Sequence, residues 1–471
     1  MATEEQVNVL MVSSALQGHI NPTLKFAKRL ISKGVNVTIV TTEMARDRIY
    51  NAPNTTNPHF HNQQIKFEFF SDGLSLDFDR NKDMQGFVDS LRTTASKNLS
   101  SLINNLTKGQ NYSCMIVDPI LPSSINIAAD NGIPCALLWM QPCALYSISY
   151  RYYRNIDSFP NLDDPNEKVQ LPGLPMLEVR DIPTYMLPSS PLFGHQIMMD
   201  LCQASDKLKW VFAASFYELE EETVKSMASL TPVYPIGPLV SEFMLGEKEN
   251  NAVGMSIWNV DDSCLEWLDN KPASSVIYVA FGSIIVLSQK QVDNIAMALK
   301  NSNKAFLWVI MPPEKGSEND APELPHGFLE ETKGRGLVVK WCQQEKVLMH
   351  PAVACFMSHC GWNSILETLA AGVPVIGYPK WLDQPAIAKL VVKKFQTGVI
   401  MNCGEDGVPS AEEMERCIKV VMEGPSAQEI KKRAMEMKEA ARKAVEEGGS
   451  SDKNINQFVN DLKNVNHPVM A

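Results

Sequence analysis

Twice along this chain a short, almost wholly apolar run is followed by a polar loop and then by a stretch of helical periodicity. In the first half, residues 7–13 (VNVLMVS) lead through the loop SALQGHINP into a helix expected over 22–33, closed by Gly34, and then into a second apolar run at 35–41. In the second half, SVIYVAFGS from residue 275 leads to a helix expected over 288–302 and an apolar run at 305–310. Pro22 suits a first helical turn and Gly34 a helix stop. Apolar strand, helix, apolar strand in immediate succession is a βαβ unit, whose crossover is right-handed and whose sheet is parallel.

Further runs extend the alternation. Strands are expected at 65–69, 115–118 and 135–139 in the first half and at 336–340, 354–358 and 373–378 in the second, with a helix over 123–131. With 471 residues, of which 45% are hydrophobic, the chain can bury two full cores. The expected fold class is α/β, as two doubly wound Rossmann-like domains. The organisation expected is an N-terminal domain over 1–240, a linker over 241–262 containing the polar run GEKENNAVG, a C-terminal domain over 263–452, and a last helix over 453–471 capped by Asp452.

The net charge of −11 argues against nucleic acid as a partner. The acidic start lacks the basic flank of a signal peptide, and no run approaches the ~20 apolar residues of a membrane span. The ten cysteines form no CxxC pair and several sit in apolar runs, so reduced thiols and a cytoplasmic location are expected. A zinc site from Cys355, His359 and Cys360 fits no common ligand spacing.

The most informative stretch is 341–384, WCQQEKVLMHPAVACFMSHCGWNSILETLAAGVPVIGYPKWLDQ. A strand at 354–358, a bend through His359, Cys360, Gly361, Trp362, Asn363 and Ser364, and a helix over 365–371 ended by Gly372 together aim backbone N–H groups and a positive helix end at one point. That is an anion site, suited to a diphosphate. Glu367, one turn beyond Asn363, lies on the same face and can accept from ribose hydroxyls. Such bends also occur without ligands, and the residues alone leave both readings open.

This stretch resembles, over its full length, the signature of plant secondary-product glycosyltransferases. The chain is identified on it as similar to inverting family 1 UDP-glycosyltransferases of the GT-B fold, whose two domains face a central cleft. The resemblance implies that Trp341 stacks on uracil, that Gln344 contacts the nucleoside, that Glu367 holds the ribose, and that Cys342 and Gly361 belong to the UDP-sugar site. It implies that Ser283, His359, Asn363 and Ser364 bind the diphosphate, and that Trp362, Asp383 and Gln384 bind the sugar, the terminal Gln going with glucose. The chain departs from the pattern at Gln343, where the family usually has Pro, and at Pro385.

His19, in GHINP, and Asp118, in MIVD, stand at the carboxyl ends of two strands, where ligands of open α/β sheets bind. On the residues alone both can also be helix caps. The resemblance implies a base, His19, oriented by Asp118, deprotonating an acceptor that attacks the anomeric carbon and inverts it; no metal or other cofactor is then expected. Asp77, Phe78 and Asp79 spell a DxD triplet in a polar loop and are set aside.

Acceptor-side candidates are Leu16, Trp139, Met140, Tyr146, Phe193 and Met198; many relatives carry Thr at the position of Met140. LPGLP (171–175) and RDIP (180–183) resemble a subgroup that includes glucose-ester formers. The expected partners are UDP-glucose and a small phenolic, flavonoid or terpenoid acceptor. O-, ester and C-glucosides stay open, as do donor hydrolysis, epimerisation and binding without transfer; a monomer is expected.

Overall fold

The structure, a computed structural model, describes residues 6–51, 65–80, 82–246, 263–282, 287–310 and 322–466. Contacts divide it into two compact units, one of residues up to Glu242 with those from Ala441 onward, the other lying between Phe243 and Ala440.

The first unit carries a seven-stranded parallel sheet of β1 (Asn8–Val12), β2 (Asn36–Thr42), β3 (Ile65–Phe70), β4 (Cys114–Val117), β5 (Cys135–Trp139), β6 (Leu208–Ala213) and β7 (Val233–Pro235). Its order is β3-β2-β1-β4-β5-β6-β7. Val9 pairs with Val37 on one side and Cys114 on the other, so β1 is central. From β1 the chain first builds outward through β2 and β3, then returns to build the other way from β4. The connections leaving β1 and β4 therefore diverge, opening a crevice at their carboxyl ends.

Helix α1 (Gln17–Ser32) follows β1 and buries Ile20, Thr23, Leu24, Ala27 and Leu30, a helical stripe on one face. It begins five residues earlier than the sequence predicts. The carbonyl of Leu16 takes the amides of both His19 and Ile20, and Pro22 is accommodated inside the helix, forgoing its own hydrogen bond. His19 thus belongs to the first helical turn and not to the loop before it. Beyond come α2 (Ser123–Asp130), α3 (Cys143–Tyr153) and α4 (Leu192–Ala204).

The second unit repeats the plan with six parallel strands: β8 (Val276–Ala280), β9 (Ala305–Val309), β10 (Gly336–Val339), β11 (Val353–Ser358), β12 (Val375–Gly377) and β13 (Gly398–Ile400), in the order β10-β9-β8-β11-β12-β13. All of β8 is buried, as expected of a central parallel strand covered on both faces. The reversal of direction now lies between β8 and β11. Its helices include α5 (Gln289–Ser302), which Ser288 starts with a capping box; α6 (Gln344–Met349); α7 (Trp362–Ala371); and α8 (Gln384–Leu390). Helix α7 starts three residues before the predicted 365, so Trp362, Asn363 and Ser364 form its first turn. Gly372 ends it at φ +71°, a conformation that favours glycine.

The last helix, α9 (Ser450–Asn466), completes the first unit. Phe458 packs edge-on against Trp210 and Phe212, with ring centroids 5.1 and 4.7 Å away. Ser451 Oγ donates to the Gly237 carbonyl at 2.5 Å and Asn454 Nδ2 to that of Pro235 at 2.7 Å. Asp452 is not the residue before the helix, as predicted, but lies in its first turn. From there it accepts from the Gly448 amide and pairs with Lys33, the residue that follows α1. None of the ten cysteines is in a disulfide, and nine are buried. Among the described residues no helix is long and apolar enough to cross a membrane.

Candidate active site

At the crevice between β1 and β4, Asp118 is fully buried and His19 is 22% exposed. His19 Nδ1 lies 2.8 Å from Asp118 Oδ1. The other carboxylate oxygen takes the Ser14 amide at 2.9 Å, and Oδ1 also takes the Ile120 amide at 3.0 Å. Burial by itself would push the Asp118 carboxyl up. The neighbouring imidazole and these two amides outweigh it and hold the group below the usual carboxylate range. An ionised Asp118 fixes the proton of a neutral His19 on Nδ1, which leaves the Nε2 lone pair to act as a base.

In the second unit the corresponding reversal brings together the loops after β8 and β11. The imidazole of His359 packs on two glycines: a Cβ on Gly361 would lie 2.4 Å from its Nε2, and one on Gly282 2.9 Å from it. Gly361, extended at φ −64°, is required here by space and not by backbone conformation. Cys360 between them has φ +65°. This left-handed residue turns the chain sharply from strand to helix. Burial lowers the His359 pKa to about 4, so the ring is neutral near pH 7. Its Nδ1 is buried and makes no hydrogen bond. With the proton on Nε2, the ring can donate to an anion at the start of α7, where Gly361 offers no side-chain cap.

Beside this helix end, the Gln344 amide joins two other predicted residues and Tyr278. Its Nε2 donates to Ser364 Oγ at 3.0 Å and to Glu367 Oε2 at 2.7 Å. Its Oε1 accepts from the Tyr278 hydroxyl at 3.2 Å. Ser364, already accepting from Gln344, keeps its own hydroxyl hydrogen for another acceptor. Glu367 is half-buried on α7, its Oε2 taking the Gln344 amide.

Other predicted residues divide by what their side chains can reach. The rings of Trp362 and Phe395 lie 6.4 Å apart and the indole is 3% exposed, so it belongs to the core. Cys342 is buried, its thiol 3.4 Å from the Tyr278 hydroxyl. Trp341 is half-buried just beyond β10, and Asp383, half-buried, precedes α8. Gln384 is buried; its Oε1 accepts from the Lys380 and Trp381 amides at 2.9 and 3.3 Å, so it offers a sugar chiefly its Nε2 hydrogens. Ser283 lies outside the described residues.

On the acceptor side, Trp139, Met140, Tyr146 and Met198 are buried, while Leu16 and Phe193 are half-buried. Trp139 donates to the Pro142 carbonyl at 3.0 Å and meets Tyr146 edge-on. None of these six lines the cavity of about 590 Å³ found in the first unit. Val88, Leu91, Ile120, Pro122 and Ile197 give that cavity apolar surface, and Arg92, Asn126, Asp200 and Lys207 its polar part. Ile120 lines the cavity and also donates its amide to Asp118. Sequence reasoning missed these residues. The nearest signal is Ile120, two residues beyond the aspartate that ends the MIVD run.

The family model described as UDP-glucoronosyl and UDP-glucosyl transferase matches residues 260–441. UDP-glycosyltransferase 84B2 of Arabidopsis thaliana is 46% identical over 453 residues, covering 96% of this chain and 99% of that protein. Gallate 1-beta-glucosyltransferase of Quercus robur is 39% identical over 469 residues, covering 98% and 91%. The crystal structure of Os79 from O. sativa in complex with UDP superposes with a TM-score of 0.83 at 30% identity, covering 96% of this chain and all of that one.

Proposed function

The chain belongs to the plant family 1 UDP-glycosyltransferases, enzymes of the GT-B fold, and from that premise we propose that it transfers glucose from UDP-glucose, with inversion, to a small aromatic acceptor. The observation that carries this reading is the His19–Asp118 pair, a base aligned at 2.8 Å by a buried, ionised carboxylate. His19 Nε2 takes the proton of an acceptor hydroxyl. The freed oxygen bonds to the anomeric carbon as that carbon's bond to the UDP oxygen breaks. The start of α7, Ser364 and neutral His359 receive the charge that develops on the departing diphosphate. Trp341, Cys342, Gln344 and Glu367 hold the nucleoside, the first two through a ring face and main chain. Gly361 lets His359 approach, Asn363 and Ser283 add diphosphate contacts, and Asp383 and Gln384 hold the sugar with their side chains, while Trp362, its indole buried, can contribute only main chain. The cavity beside Ile120 takes the aromatic part of the acceptor, its apolar surface matching a flat ring.

A second reading is favoured by likeness to the oak gallate glucosyltransferase: the acceptor group is a carboxylate and the product a glucose ester. A carboxylate is ionised at neutral pH and needs no base. Incubating the protein with UDP-glucose and matched pairs of phenols and aromatic acids tests both. Alkali-stable glucosides that disappear in His19→Ala support the first reading. Alkali-labile products that persist in His19→Ala support the second. Donor consumption without any acceptor product refutes both.

A further inference from the structure

We infer that Tyr278 is a positioning residue of the donor site, holding the Gln344 amide in the one orientation that presents Ser364 and Glu367 to the nucleotide. The inference rests on the proposed roles of Ser364 and Glu367 and concerns a residue that the signature stretch does not contain.

Tyr278 lies in the middle of β8, 1% exposed, its ring stacked on Phe356 at 4.7 Å. A hydroxyl so deep in a parallel sheet needs a partner. It has two: Gln344 Oε1 at 3.2 Å and Cys342 Sγ at 3.4 Å. Burial, with Cys342 and Glu367 nearby, raises the phenol's pKa, so the hydroxyl keeps its proton and can donate.

Hydrogen counting gives this contact its consequence. The two hydrogens of Gln344 Nε2 go to Ser364 Oγ and Glu367 Oε2. Neither remains for Tyr278, so the contact to Oε1 is a bond that Tyr278 donates. A flipped amide would turn Oε1 toward the Glu367 carboxylate, two acceptors without a hydrogen between them. Before a nucleotide binds, Glu367 helps to enforce the orientation. When ribose hydroxyls occupy Glu367 that help weakens, and Tyr278 remains as the anchor on the far side of the amide. The stacked ring on Phe356 prevents the hydroxyl from following Gln344 if it swings.

Calorimetric titration with UDP and with 2′-deoxy-UDP, on the full chain, tests this apart from turnover. The wild type should bind UDP more tightly than the deoxy analogue, and Glu367→Ala should erase that preference. Tyr278→Phe, which keeps the ring, should weaken UDP binding about five-fold, the ordinary worth of one hydrogen bond, and narrow the preference for UDP. It should raise KM for UDP-glucose while leaving kcat and the acceptor KM near wild type. In Gln344→Ala the same change at Tyr278 should have no further effect, because the two act in series. An unchanged UDP preference in Tyr278→Phe overturns the inference, as does full additivity with Gln344→Ala. A wild-type preference kept by Glu367→Ala removes the ribose role of Glu367 and the inference with it. Absence of UDP binding by the wild type refutes the donor-site reading itself.

Discussion

Replacing Asp118 by Asn changes one atom and sets three hydrogen bonds against each other. The carboxylate accepts from His19 Nδ1 and the Ile120 amide on Oδ1 and from the Ser14 amide on Oδ2, at 2.8, 3.0 and 2.9 Å. An amide has one acceptor end. With its oxygen toward His19 and Ile120, the new NH2 group meets the Ser14 N–H, and one buried donor is unpaired at a cost of about 1–3 kcal/mol. The reverse orientation drives the His19 proton to Nε2, so that Nδ1 accepts from the new NH2 group; only the Ile120 amide is then unpaired, but the base is removed. Each orientation leaves one buried main-chain donor unpaired, a stability loss of about 2 kcal/mol, and only the first keeps the base. In both, the negative charge beside the imidazolium formed during transfer is gone. At an effective dielectric near 20 a charge pair with its centres about 4 Å apart is worth about 4 kcal/mol. Part of this is recovered by the remaining hydrogen bond, which leaves a fall in kcat/KM for hydroxyl acceptors of about 10²–10³-fold.

Initial rates of UDP release with a phenol, and in parallel with an aromatic acid, give the readout. The acid, already ionised, should lose less than about five-fold. The thermal deficit of Asp118→Asn has a pH signature. Asp118's folded pKa is lowered, so its contribution is complete above the unfolded carboxylate value of about 4 and is lost as pH falls through the folded value. The difference in Tm between wild type and variant should be full at neutral pH and shrink below pH ~4. Unchanged phenol glucosylation in a folded Asp118→Asn refutes the base mechanism, and equal losses on phenol and acid reduce Asp118 to a structural role.

Three further substitutions probe the second unit. Gly361→Ala places a Cβ 2.4 Å from His359 Nε2 and must displace the ring; UDP affinity measured by calorimetry should fall at least about ten-fold, while Tm drops by only a few degrees. Gln384→Glu can still accept the Lys380 and Trp381 amides but loses the hydrogens offered to the sugar. Competition assays should find UDP binding unchanged and KM for UDP-glucose raised about five-fold or more. His359, held to about 4 by burial, stays neutral where an unfolded chain's histidine takes up a proton, so it subtracts stability as pH falls from about 6.5. His359→Gln should lessen the decline of Tm between pH 6.5 and 4.5 in scanning calorimetry, and an unchanged decline would contradict its burial.

Much of the fold is legible because parallel strands buried on both faces are nearly continuous apolar runs. VNVLM, CMIV and VIYVA announce β1, β4 and β8 with little error. Helix starts were harder to read. Pro22 marks a plausible first turn, yet Leu16 starts α1, because a main-chain carbonyl can collect two amides without any side-chain signal. The same holds for α7, where Gly361 offers no capping side chain. Within the site, His19, Asp118, His359 and Glu367 stand out by chemical type. Tyr278 does not: a tyrosine within an apolar strand reads as core, and its hydrogen bond becomes visible only when Gln344 arrives from 66 residues away. The apolar candidates Trp139, Met140 and Tyr146 illustrate the converse, since apolar character alone does not separate a cavity wall from a packed interior.

The path of α9 has a consequence for how the chain is made. Phe458, Ser451 and Asn454 close over Trp210, Phe212, Gly237 and Pro235, residues that leave the ribosome some two hundred positions earlier. At about 5–20 residues per second, the first unit waits on the order of ten to forty seconds for the helix that covers these rings. During that interval its nascent sheet exposes apolar surface that a chaperone can hold. A stop codon anywhere after the second unit, but before Phe458, would damage the half of the protein synthesised first.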